Sequence, residues 1–201
     1  MDVSRETVPT HPQPAAPEAR LLALAEWLAP SAASLGLTNY HTADVLLTDA
    51  ILPALALRGL LGHAPVGPWV DLGAGSGALG LALALTAPAL HMDLLDRRER
   101  AAAFLDLTVR RMAIPNARAL QRDLQPEAEI PAWVGVCFRA VAPPSEALAM
   151  AAAHSRRWVC AWHGPGLRAY RTPPAGFRVA GSSRAPSTNL ALTLYERVFV
   201  S

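Results

Sequence analysis

The feature that most constrains this chain is the stretch Trp69-Val70-Asp71-Leu72-Gly73-Ala74-Gly75-Ser76-Gly77-Ala78-Leu79-Gly80, where an apolar run meets an acid, breaks into glycines and resumes as an apolar helical pattern. It reads as a strand, a tight turn and a helix. Glycines belong where the backbone takes positive φ or lies close to a ligand, and the following helix offers unpaired N–H groups and the positive end of its dipole. A nucleotide-like pocket is implied. Spacing alone leaves two cofactor classes open, because Gly75, Gly77 and Gly80 also satisfy the dinucleotide pattern G-x-G-x-x-G. Asp71 weighs between them, since an acid ahead of the first glycine repels a pyrophosphate and suits a ligand that carries an ammonium group.

In the form Asp-x-Gly-x-Gly-x-Gly, the stretch resembles the first motif of the class I methyltransferases, whose cofactor S-adenosylmethionine carries such an ammonium. The resemblance implies an α/β chain with the class I S-adenosylmethionine-dependent methyltransferase fold. That fold is doubly wound, with a mostly parallel seven-stranded sheet, an antiparallel last strand and, in this chain, leading N-terminal helices. The alternative is a glycine turn with a purely structural purpose.

With 201 residues and 52% hydrophobic content, the chain can bury one sizeable core and is short for two domains. A disordered tail is expected over 1–18, where four prolines sit among small polar residues. A single methyltransferase domain is expected over 19–201, with a helical extension over about 19–62 and a Rossmann-like core over about 66–201. The net charge of +2 neither demands nor excludes a nucleic-acid partner. All 18 basic side chains are arginine, which rules out a lysine nucleophile in this sequence. Cys137 and Cys160 lack metal-site or disulfide spacing and read as reduced core residues, so no metal is expected. The opening residues lack the apolar segment of a secretory signal, and no stretch offers about 20 uninterrupted apolar residues. A cytoplasmic, non-membrane protein is expected, and a monomer.

Taken in order, helical spacing predicts a helix over 18–29 stopped by Pro30, and a second from Thr42 as N-cap to about Leu61, bent at Pro53. After the glycine turn come a helix over 78–86, a strand over 90–95 ending at Asp96, and an amphipathic helix over 98–112. Asp96, at the tip of the second strand, is placed either to hold a ribose diol or to cap the next helix. Arg97, Arg98, Arg100, Arg110 and Arg111 fit a solvated surface as well as a phosphate-binding patch. Strands are predicted over 117–121, 133–138 and 158–162, with a helix from Ser145 as N-cap to His154. Asp123 follows the third strand, where an adenine amino group would lie. The segments 177–180 and 190–200 form a closing hairpin.

The order of motifs is similar to one family in particular, the glucose-inhibited division protein B family of small-subunit rRNA guanine-N7 methyltransferases. Leu37-Thr38, Thr48-Asp49-Ala50, the glycine turn, Leu94-Leu95-Asp96, Phe138-Arg139-Ala140 and Trp162-His163-Gly164 follow the family's sequence of motifs from about Leu21 to the end. The chain departs from it in three places. Val45 and Leu46 stand where an Arg-His pair is usual, Phe138 replaces a serine before Arg139, and His163 replaces a lysine before Gly164. The resemblance implies S-adenosylmethionine as cofactor, held by Asp71, Gly73, Ala74, Gly75, Gly77, Asp96, Arg97, Asp123 and Arg139. It implies small-subunit ribosomal RNA, or the subunit, as partner, with Arg139 as the catalytic candidate and Arg110, Arg111 and His163 on the substrate side. His163 serves there as a cation only when protonated. Given the three departures, a non-catalytic cofactor-binding or ribosome-assembly protein and a small-molecule methyltransferase are the other readings of the same motifs.

Overall fold

The computed structural model describes residues 16–63, 65–124, 133–164, 166–184 and 190–199. Most of the tail expected over 1–18 lies outside them. Pro17 and Glu18 already belong to the first helix, α1 (Pro17–Ser34), which runs through Pro30 rather than ending there. Pro30 forgoes its own N–H bond and its ring crowds the Glu26 carbonyl, yet the helix continues past it and encloses Ala32 fully. The helix closes instead on a paired turn, with the Leu37 N–H donating to the Ala32 carbonyl at 2.9 Å and the Gly36 N–H to that of Ala33 at 3.0 Å.

The second expected helix is broken into α2 (Ala43–Leu46), a π-helical turn (Leu47–Ile51), α3 (Leu52–Ala54) and α4 (Ala56–Leu61). Thr42 is its N-cap by position, without a side-chain cap bond. The proline that was expected to bend one helix sits in a three-residue segment just after the wide turn, which lets Leu46, Ile51, Ala54 and Leu57 all face the core.

The sheet contains β1 (Gly67–Leu72), β2 (Leu90–Asp96), β3 (Ala117–Gln121), β4 (Trp133–Arg139), β5 (Ser155–His163), β6 (Phe177–Arg184) and β7 (Ala191–Arg197). Their order across the sheet is 3-2-1-4-5-7-6. Strands 1 to 5 pair in parallel, and β7 lies antiparallel between β5 and β6, as the methyltransferase fold requires. The helices α5 (Ala78–Thr86), α6 (Glu99–Arg111) and α7 (Pro144–His154) make the crossovers. α7 starts one residue before the expected Ser145 cap, because Pro144 brings the right φ to a first helical position and has no N–H to satisfy there. β5 follows α7 without a loop, three residues earlier than its apolar run suggested.

Two apolar layers hold the sheet. α1, the broken helix and α5 pack on one face around Leu24, Leu28, Leu81 and Trp69, and α7 packs on the other around Phe138, Val159 and Tyr195. Cys137 and Cys160 are buried in adjacent strands, unbonded to each other, with burial raising both thiols well above their ordinary range. No helix among the described residues is long and apolar enough to cross a membrane.

Strand order reverses between β1 and β4, where neighbouring connections leave in opposite directions and open a crevice at the carboxyl ends. A tie at the opposite edge keeps α5 and β2 in register: the Asn116 amide donates to the carbonyls of Ala84, Ala87 and Leu90 at 3.0, 3.2 and 2.9 Å. Asn116→Ala is expected to lower stability by about 1–3 kcal/mol, read as a drop in urea midpoint with unchanged slope, because those carbonyls lose a shared donor.

Candidate active site

The glycine turn leaves β1 at the crevice, and its shape follows from two close approaches. Gly73 has φ +66°, and a Cβ there would come within 2.4 Å of the Val141 side chain, so only bare backbone fits between β1 and the loop after β4. Gly80 sits in the first turn of α5, where a Cβ would press on Leu94 at 2.5 Å and on the Asp71 carboxyl at 2.9 Å. The third glycine of the apparent dinucleotide pattern is therefore a packing residue. It lets α5 lie against β1, and its N–H donates to Asp71 Oδ2 at 2.9 Å.

Asp71 is buried, and burial pushes its carboxyl from 3.8 up to about 7; the Gly80 N–H and the charge of Arg139 pull it back only in part. Asp96 answers the same problem differently. Burial would raise it too, but the Arg98 guanidinium and the N–H groups of Arg98 and Gly75 more than offset that and hold it below the usual carboxylate range.

Two clefts flank Gly73. One, of about 490 Å³, is lined by Asp71, Gly73, Ala74, Gly75, Arg98 and Arg139, and is bounded on its far side by Leu37, Thr38, Asn39 and Tyr40. The other, of about 520 Å³, takes Asp96, Arg97 and Asp123 together with Leu124, Val141 and Met150. Gly73, Arg98 and Ala140 line both. The Arg139 guanidinium lies 5.7 Å from the Tyr40 ring centroid, across the mouth of the first cleft. Ala140, directly after it, is one of two non-glycine residues with positive φ among those described, at +53°. A left-handed alanine costs about 1–2 kcal/mol, and here it turns the chain sharply at the crevice.

The candidate residues do not all converge. Gly77 lies beneath the turn as N-cap of α5, packed against Leu81 and Leu105, and lines neither cleft. Arg97 is exposed at the second cleft, and Arg98, not Arg97, grips Asp96; sequence reasoning weighed Arg98 only as part of a patch. Arg110 and Arg111 are carried away from the site. α6 starts at the crevice and runs 13 residues back, about 20 Å, so they reach the opposite edge of the sheet. There Arg110 pairs with Asp106 and Arg111 lies over Trp27 at 4.3 Å. They are not acceptor-side residues of this pocket.

His163 ends β5 at the same edge as Arg139 but lines a separate cleft of about 520 Å³ with Tyr170, Arg171 and Arg184. Its ring stacks on Tyr170 at 4.4 Å. Since a carbonyl can only accept, Nδ1 carries the proton that goes to the Gly164 oxygen at 2.9 Å, and Nε2 meets the Thr193 hydroxyl at 2.9 Å. Among the described residues, no cluster of His, Cys, Asp and Glu is gathered to hold a metal.

Comparison with known proteins bears on what such a crevice does. A family model described as rRNA small subunit methyltransferase G matches residues 18–158. The ribosomal RNA small subunit methyltransferase G of Paracoccus denitrificans is 29% identical over 162 residues, which cover 81% of this chain and 77% of that protein. Among solved structures, TrmN from Thermus thermophilus matches with a TM-score of 0.61 at 18% identity, covering 74% of this chain and 49% of that one. The magnesium protoporphyrin IX methyltransferase of Synechocystis, solved with bound SAM, matches with a TM-score of 0.59 at 17% identity, over 94% of this chain and all (100%) of that one. At such identities these two establish the fold.

Asp71 supplies a pH test of this geometry. Between pH 3.8 and about 7 the folded chain keeps a proton that the unfolded chain releases, so its stability falls as pH rises through that window and levels off above it. The loss is on the order of 4 kcal/mol. In Asp71→Asn, whose amide oxygen can still accept from Gly80, urea unfolding from pH 4.5 to 8 should lack that decline relative to the wild type. Parallel pH curves for the two proteins would show Asp71 ionising as an ordinary carboxyl.

Proposed function

Because the chain belongs to the rRNA small subunit methyltransferase G family, we propose that the two clefts around Gly73 hold S-adenosylmethionine and present its methyl group to N7 of a guanine in small-subunit ribosomal RNA. Membership makes the chain an S-adenosylmethionine-dependent methyltransferase; the assignment of residues is the proposal's own content. One observation carries it: the backbone is bare at Gly73, between a buried acid on one side and a strand-tip acid on the other.

The residues present fit this cofactor. Asp71 offers an acid for the ammonium, Gly73, Ala74 and Gly75 leave room along the turn, Asp96 stands at the tip of β2 for the ribose, and Arg97, Asp123 and Leu124 line the cleft for the base. When bound, the cofactor supplies a methyl group made electrophilic by its sulfonium. Guanine N7 already has a free lone pair, so the chain needs no general base. What its residues contribute is position and exclusion of water. Arg139 can hold the guanine edge or its phosphate from the acceptor side, and Tyr40 with the 37–39 segment walls the same cleft. The partner is the subunit or its RNA, met in the cytoplasm by a monomer. His163 lines a neighbouring cleft at the same edge, where it extends the acceptor surface without touching the cofactor.

Incubation with radiolabelled S-adenosylmethionine and small subunits that lack the modification tests the reaction. Label should appear in the rRNA at guanine N7. Arg139→Ala should lower transfer by roughly a hundredfold while cofactor affinity stays within a few fold, because its contact is to the acceptor. Asp96→Ala should weaken cofactor binding by roughly 1.5–3 kcal/mol in calorimetry. Label in a small metabolite, or no label in RNA when the cofactor binds normally, would overturn the acceptor assignment.

A further inference from the structure

Asp96 already carries four donors on its two oxygens. Oδ1 accepts from the Arg98 backbone N–H and from its Nε, and Oδ2 from the Gly75 N–H and the Arg98 Nη2, each at 3.0 Å. A carboxylate has about four acceptor positions, so this one is full. A ribose diol that donates two O–H bonds to Asp96 must therefore displace two of the present donors. Two of them are backbone groups, one fixed in the glycine turn and one at the start of α6. The other two belong to the Arg98 side chain, which is 50% exposed and sits on a long stem. Only that guanidinium can leave.

Its destination is set by where it stands. Arg98 lines both clefts, and the Gly75 backbone lies beside its Nη2, 3.9 Å from where a Cβ would be. A guanidinium released from Asp96 needs a new partner: the second cleft, where the cofactor's base would lie, offers Asp123 and Glu146, while on the acceptor side Asp71 is the one acid among the described lining residues, buried and bonded to Gly80, so an anion there must come from the acceptor. The remaining cation there is Arg139. We propose that Arg98 couples the two substrates: the cofactor ribose takes over Asp96, and the freed guanidinium joins Arg139 in clamping a phosphate of the acceptor nucleotide. The inference rests on the function proposed above.

Cofactor binding is then opposed by the Asp96–Arg98 contact in the absence of RNA, and a phosphate that holds Arg98 elsewhere relieves that opposition. By linkage each ligand tightens the other by the same factor. The demethylated product, S-adenosylhomocysteine, and a synthetic fragment of small-subunit rRNA test this without turnover. In the wild type, saturating product should tighten RNA binding about tenfold in fluorescence anisotropy. Arg98→Ala should bind the product about tenfold more tightly than the wild type and bind RNA equally well with or without it. Arg98→Lys, with a single charge and no fork, should fall between. A merely structural Arg98 predicts the reverse sign, since its loss would leave Asp96 less well held and the cofactor weaker. Weaker or unchanged product binding by Arg98→Ala overturns the proposal. So does a wild-type RNA affinity indifferent to product, a measurement that needs no variant. A wild type that binds no product at all overturns the functional reading instead.

Discussion

The bond from the Gly80 N–H to the Asp71 carboxyl is the constraint on which the site depends. It joins the end of the central strand to the first turn of the helix that leaves it, so the glycine turn between them has both ends fixed. The acid can be buried because it meets an unpaired helix N–H, and the helix can come this close because residue 80 has no side chain. Asp96 repeats the device from the next strand, holding Gly75. Two strand-end carboxyls thus hold a turn made largely of glycine, and what they leave open on either side is the pair of clefts.

These acids have opposite electrostatic fates, although both are buried. Asp71 keeps its proton up to about pH 7, whereas Asp96 is held ionised by a guanidinium. Depth and partner both differ, since Asp71 is the more deeply enclosed of the two and lacks a charged donor bonded to it. A backbone N–H only partly offsets desolvation, while a forked, charged donor reverses its effect. Near neutral pH, therefore, one side of the turn can gain or lose a charge and the other cannot.

Most of the fold was legible in the sequence because its signals are local. The alternation of apolar runs with helical periods gave α5, β2, α6, β3 and the strand compositions at the carboxyl end, and the glycines located the crevice. Local signals misled where tertiary burial overruled them. Pro30 reads as a stop, but Ala32 beyond it is enclosed; the apolar pattern over 43–61 reads as one helix, but the core is met by a wide turn and three short segments. Within the site the acids and the turn were legible, since strand ends and turns are read from residue type, but Gly77, expected at the cofactor, caps α5 beneath the turn. The arginines were not, because a cluster along the sequence does not say which member folds back. Arg98 reaches Asp96 two residues behind it, whereas Arg97 stays exposed at the second cleft and the direction of α6 removes Arg110 and Arg111. That last separation could have been inferred, since a crossover helix runs against its strands. Asn116 is a three-carbonyl tie that no spacing announces.

The paired turn that closes α1 sets Leu37 directly over the glycines, with its carbonyl 3.5 Å from where a Gly75 Cβ would lie. The far wall of the acceptor cleft is thereby built by the end of the leading helix. An extension that looks like an appendage to a conventional sheet is then inseparable from the pocket: a hybrid grafting this sheet onto another protein's leading helices would inherit the cofactor turn but not its ceiling. An exchange that keeps the pocket must therefore carry α1 and the turn after it along with the sheet.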